Sequence, residues 1–197
     1  MWYRFVQVFF HIIFKILFRF EIIGKENIPK NGPLIVASNH ASLLDPPLVG
    51  TASTRKVCFM AKEELFVPVL GELYRSLGAF PVKRGASDRT AIKWALQLLK
   101  TGKVLGIFPE GTRSKTGKLG HAGSGTLGMA GKFRVPIIPT AIIGSNLKMQ
   151  KSLWPKIKVV FGKPIYFPED RAVDKELLQE MTDKMMQEIG QMLEIYR

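Results

Sequence analysis

The chain has 197 residues, enough for one domain with a proper core, and its 46% hydrophobic and 10% aromatic content is that of a globular protein with some apolar surplus. A single cysteine, Cys58, rules out an intramolecular disulfide and gives no sign of an oxidising compartment. The net charge of +13 is concentrated, for residues 111–168 hold ten Lys and Arg and no Asp or Glu. Such a field attracts polyanions, whether nucleic acid, an anionic membrane, a phosphorylated substrate or an acidic carrier protein, and charge alone does not choose among them.

Residues 1–20 read MWYRFVQVFFHIIFKILFRF. The longest stretch without a charged side chain, residues 5–14, has ten residues, too short for a hydrocarbon core about 30 Å thick. No small-residue cleavage site marks a signal peptide. On a helix, Arg4, Gln7, His11, Lys15 and Arg19 fall at spacings of three or four and form one narrow polar stripe. The rest of the surface is aromatic and aliphatic, which predicts a helix lying in the lipid headgroup region with His11 on its polar side. Residues 1–23 are therefore expected to be a membrane-associating helix and residues 24–197 the globular domain.

Turn residues (Gly24, Asn27, Pro29, Asn31, Gly32, Pro33) lead to an apolar run, residues 34–37, that reads as a buried strand. Residues 39–45 follow as NHASLLD, with Pro46 and Pro47 suited to the opening turn of a helix. His40 and Asp45 would share that strand-to-helix turn, where the carboxylate can hold one imidazole nitrogen and leave the other free to take a proton. The same residues also describe a capped helix start with a hydrogen-bonded turn histidine. Further strand-like runs occupy residues 56–60, 79–82, 104–108, 136–143 and 156–161. Residues 88–100 read as a helix capped by Asp88 and stopped at Gly102, and residues 173–196 as a long amphipathic helix with packing methionines. The alternation predicts an α/β fold, a single domain with a mostly parallel central sheet flanked by helices.

Two letter patterns fail on context. GSGTLG at residues 123–128 matches a dinucleotide fingerprint, yet no strand precedes it and no acidic residue follows before Glu169. Residues 111–119 approach a phosphate-binding P-loop, but the spacing is one residue too long and Leu119 stands where Ser or Thr is required. More informative is FPEGTRS at residues 108–114, at the carboxyl end of an apolar strand, where open α/β sheets place ligands. Arg113 offers a planar fork for phosphate oxygens, and Thr112 and main-chain N–H groups add donors. A solvated surface loop has the same composition. Residues 78–84, GAFPVKR, likewise run from a strand into adjacent basic residues.

The segments at His40, residues 78–84, residues 108–114 and residues 135–139 (VPIIP) resemble, in order, the four conserved blocks of the glycerolipid acyltransferases, nearest to the bacterial branch that acylates lysophosphatidic acid. The likeness covers residues 32–144. It implies that His40 is a general base removing the proton from an acceptor hydroxyl, and that Asp45 orients it. Glu110, Gly111, Thr112 and Arg113 would bind the glycerol phosphate with Arg84, and Pro136 and Pro139 would line the acyl side or serve packing. It further implies an acyl donor bound to carrier protein or CoA, no cofactor or metal, no nucleic acid partner, and a peripheral or monotopic place on the cytoplasmic face of the membrane. Glycerol 3-phosphate, another lysophospholipid or a lyso-ornithine lipid stay open as acceptors. So does a non-catalytic, anionic-lipid-binding protein, a different class of function altogether.

Overall fold

The computed structural model describes residues 1–83, 88–123, 125–150 and 152–197. A seven-stranded sheet is formed by β1 (Arg19–Ile23), β2 (Leu34–Ser38), β3 (Val57–Lys62), β4 (Phe80–Val82), β5 (Val104–Ile107), β6 (Ile137–Ile143) and β7 (Lys156–Phe161). Among the described residues six α-helices surround it: α1 (Trp2–Leu17), α2 (Asp45–Ala52), α3 (Leu70–Ser76), α4 (Arg89–Lys100), α5 (Gly128–Lys132) and α6 (Lys175–Ile195). The strand order is β1-β7-β6-β2-β5-β3-β4. β6, β2, β5, β3 and β4 are mutually parallel; β7 runs antiparallel to β6 and carries β1 parallel to itself. The mostly parallel α/β architecture expected from the alternation of elements is the one observed.

Both faces of this sheet are covered, which is why the central strands read as unbroken apolar runs and not as alternation. Along β2, Leu34 and Val36 join the core under α1 and α2. Ile35 and Ala37 point to the opposite core, which includes Leu98 and Leu99 of α4 and Met181, Met185 and Ile189 of α6. The methionines of α6 thus pack inside the protein.

The amino-terminal helix differs from expectation in two ways. It ends at Leu17 and does not continue through residue 23, because Phe18 turns extended and residues 19–23 are drawn into the sheet beside β7. Sheet pairing outweighs the helical periodicity there, and the strand stops at Gly24, which has φ +73° and where a Cβ would come 2.1 Å from the Phe161 carbonyl oxygen. The polar stripe is also divided between two environments. Gln7 Nε2 donates to the carbonyls of Gly50 (2.9 Å) and Ser53 (2.6 Å) at the end of α2, where helical C=O groups lack partners. His11, expected at the surface, is half-buried with its ring edge-on to Phe20. Burial, then Lys15 and Lys25, hold its pKa below the usual histidine value. α1 exposes Arg4 and Lys15 together with a broad apolar face of Trp2, Phe5, Val8, Phe9, Ile12, Ile16 and Leu17.

Candidate active site

The carboxyl ends of β2 and β5 bring together the two strongest sequence segments. β2 ends at Ser38, and Asn39 clamps the chain to β6, its side chain donating to the Ile142 carbonyl (3.0 Å) and accepting the Ile142 N–H (2.8 Å). His40 follows at once. Asp45 opens α2 with Pro46 and Pro47 in its first turn, and its carboxylate folds back over the intervening loop. Asp45 Oδ2 lies 2.8 Å from His40 Nδ1 and accepts the N–H groups of Ala41 and Ser42, each at 2.7 Å. A single oxygen therefore organises the turn and holds one ring nitrogen. Asp45 is fully buried and His40 is 7% exposed. With Nδ1 occupied, Nε2 is the nitrogen left to exchange a proton, and no described residue bonds it.

The imidazole is also fixed in plane. Phe108, the first residue beyond β5, stacks on it with centroids 4.0 Å apart and 18° between planes. Phe59 of β3 stacks on Phe108 in turn, at 5.6 Å and 16°. Gly106 makes room for that second ring: a Cβ there would come 2.2 Å from Phe59 Cε1. Phe108 is visible in the sequence as part of a motif, but its service to His40 depends on β2 and β5 being neighbours.

Glu110 binds the two loops to each other. Its Oε1 accepts the His40 main-chain N–H and its Oε2 the Gly120 N–H, both at 2.8 Å. Ser114 N–H donates to the His40 carbonyl at 2.7 Å. Both Glu110 oxygens are thus turned to main-chain donors. Gly111, at φ +69°, closes the turn through its N–H to the Phe108 carbonyl (3.0 Å). Gly111, Thr112 and Arg113 are exposed beside His40's loop, with no hydrogen bond or ion pair on the Arg113 guanidinium among the described residues. Arg84 lies outside the described residues. Pro136 stands just before β6, its carbonyl accepting the Ile35 N–H (3.0 Å), and Pro139 lies within β6 against Gly162, where a Cβ would approach its Cγ to 2.9 Å. A basic concavity of about 900 Å³, lined by Arg4, Arg55, Lys103 and Trp94 among others, sits at the opposite, amino-terminal ends of β3 and β5.

The family model for Acyltransferase matches residues 19–143, from β1 through β6 and therefore across both loops of the site. The chain belongs to the acyltransferase family. Among its relatives, the 1-acyl-sn-glycerol-3-phosphate acyltransferase of Bacillus subtilis is 28% identical over 193 residues, covering 96% of each chain. A probable 1-acyl-sn-glycerol-3-phosphate acyltransferase of Mycoplasma pneumoniae is 30% identical over 96% of this chain and 75% of its own length. The crystal structure of PlsC, the 1-acyl-sn-glycerophosphate (LPA) acyltransferase of Thermotoga maritima, matches with a TM-score of 0.75 at 29% identity, covering 94% of this chain and 78% of that one. The buried His40–Asp45 pair lies within the residues that the family model matches. Cys58, the only thiol, is no rival nucleophile: it is buried in β3, and burial pushes its pKa up.

Proposed function

We propose that this acyltransferase moves a fatty acyl group from a thioester of acyl carrier protein or CoA to the sn-2 hydroxyl of lysophosphatidic acid, giving phosphatidic acid for phospholipid synthesis. The observation that carries the reading is the buried His40–Asp45 pair, with Nδ1 held and Nε2 free, in a chain whose relatives are named 1-acyl-sn-glycerol-3-phosphate acyltransferases. His40 Nε2 takes the hydroxyl proton as the oxygen attacks the thioester carbonyl. Asp45 stabilises the imidazolium so formed. The C–S bond then breaks, and the proton passes from the imidazolium to the departing thiolate. No acyl-enzyme is needed, so neither Ser42 nor Cys58 has a covalent part.

Gly111, Thr112 and Arg113, with Arg84, supply donors and positive charge for the phosphate. Glu110 belongs to the same binding loop as its brace, since a carboxylate facing the phosphate would repel it while one facing main-chain N–H groups fixes the loop. No helix among the described residues is long and apolar enough to cross a membrane. The exposed apolar side of α1, bordered by Arg4 and Lys15, suits a helix resting in the headgroup layer of the cytoplasmic leaflet, where the acceptor resides.

The test is thiol release by the purified protein with a panel of lysolipid and glycerol phosphate acceptors and both donor types. Acyl transfer is expected to be fastest to lysophosphatidic acid, and His40→Ala is expected to lower kcat by about 10²–10⁴-fold. Absence of transfer to every phosphorylated acceptor would overturn the assignment.

A further inference from the structure

We propose that the segment from the end of β3 into α3 is a second lipid-contacting element, entering the headgroup layer of a bilayer beside α1 through apolar contact alone. This rests on the proposed lipid acceptor and makes the membrane contact two-sided. The segment exposes Leu65, Val67, Val69, Leu70 and Leu73, with Val69 81% accessible. Isolated exposed apolar residues are ordinary, but a contiguous run of them marks an interaction surface.

Its backbone is strained in a way that serves exposure. Val69 has φ 71° and ψ −60°, and the Leu70 N–H bonds the Pro68 carbonyl at 2.9 Å, which together make the rare positive-φ γ-turn. A β-branched residue in that region is a genuine outlier, kept only where neighbours determine it. Here they do. The Gly71 N–H bonds the Val67 carbonyl at 2.7 Å. Phe66 is tucked beneath, edge-on to Tyr74 and under the Arg75 guanidinium. The strain thus turns Val69 outward on a firmly built base.

Two observations identify the occupant as a bilayer. The first is continuity with α1: the Trp2 indole donates to Ser76 Oγ at 3.1 Å, and Trp2 stacks on exposed Phe5. The apolar face of α1 and the segment therefore meet at a tryptophan, a residue that favours the membrane–water boundary. The second is charge. Each carboxylate around the segment has a cation beside it, in the pairs Lys62–Glu64 (2.8 Å), Arg75–Glu72 (2.7 Å) and Lys83–Glu63 (3.9 Å). The rim is self-neutralised, so in a protein of net charge +13 this patch neither needs anionic lipid nor repels a neutral surface.

The measurement is flotation of the full chain with vesicles of phosphatidylcholine, alone or with phosphatidylglycerol, at low and high salt. Val69→Gly keeps the turn while removing the side chain, and Val67→Ser provides an independent variant at an ordinary backbone position. Each is expected to lower partition onto neutral vesicles by up to about tenfold, equally at both salt concentrations. Turnover of a short-chain, water-soluble lysophosphatidic acid should stay unchanged. Unaltered partition in both variants would overturn the proposal, as would a dimer in light scattering that these substitutions dissociate, since that would assign the patch to a second copy. Failure of the assigned reaction would show separately, as no transfer to the soluble acceptor.

Discussion

Asp45 Oδ2 carries three hydrogen bonds, and only one of them goes to His40. The same atom that orients the base therefore shapes the turn that delivers it, and pairing and folding are one event at this residue. Phe108 is separable from the turn. It touches the imidazole face and none of the turn's hydrogen bonds, so Phe108→Leu should keep the turn and loosen the ring. Aromatic pairing of this kind is worth about 0.5–1.5 kcal/mol, which corresponds to a fall of about two- to tenfold in kcat with KM for the acceptor nearly unchanged. Steady-state kinetics decides this, and a change confined to KM would count against a positioning part for Phe108.

At the level of elements, two contacts chosen by polar side chains set the framework. Gln7 donates to the terminal carbonyls of α2, so Gln7→Leu would fit the apolar character of α1 yet take the side-chain donor from Ser53 and leave Gly50 only the Tyr3 hydroxyl at 3.2 Å. The expected cost is about 1–2 kcal/mol, read as a lower Tm. Asp88 caps α4 through the N–H groups of Thr90 and Ala91 and also accepts the Lys83 N–H. The Lys83 bond, then that from Ala91, holds its carboxyl below the ordinary value of 3.8. A lowered carboxylate pKa means that the unfolded chain binds the proton more readily, so the cap's contribution is complete above the ordinary carboxylate range. It is lost as pH falls through the lowered pKa. Thermal melts of the wild type and Asp88→Asn should therefore differ at pH 7, and the difference should begin to shrink only as the pH falls below about 4.

For the whole molecule, the order β1-β7-β6-β2-β5-β3-β4 puts β2 between β6 and β5. The long-range contacts of the site follow from that position: Asn39 reaches β6, while His40 meets the Phe108–Glu110 loop after β5. The periodicities and turn residues of the chain determined the class of fold, the strands β2 to β7 within a residue or two, the cap at Asp88 and the pairing of His40 with Asp45. These rest on local rules of strand hydrophobicity, capping and side-chain reach over a few residues. Only the tertiary structure decided that Arg19–Ile23 is a strand, since its partner β7 lies more than a hundred residues away. It alone likewise turned Gln7 and His11 inward, set Glu110 to brace His40 across 70 positions of sequence, and aligned Phe59, Phe108 and His40 over Gly106. Such arrangements depend on which strands are neighbours, and neighbourhood is settled by the packing of the whole sheet and not by any one segment.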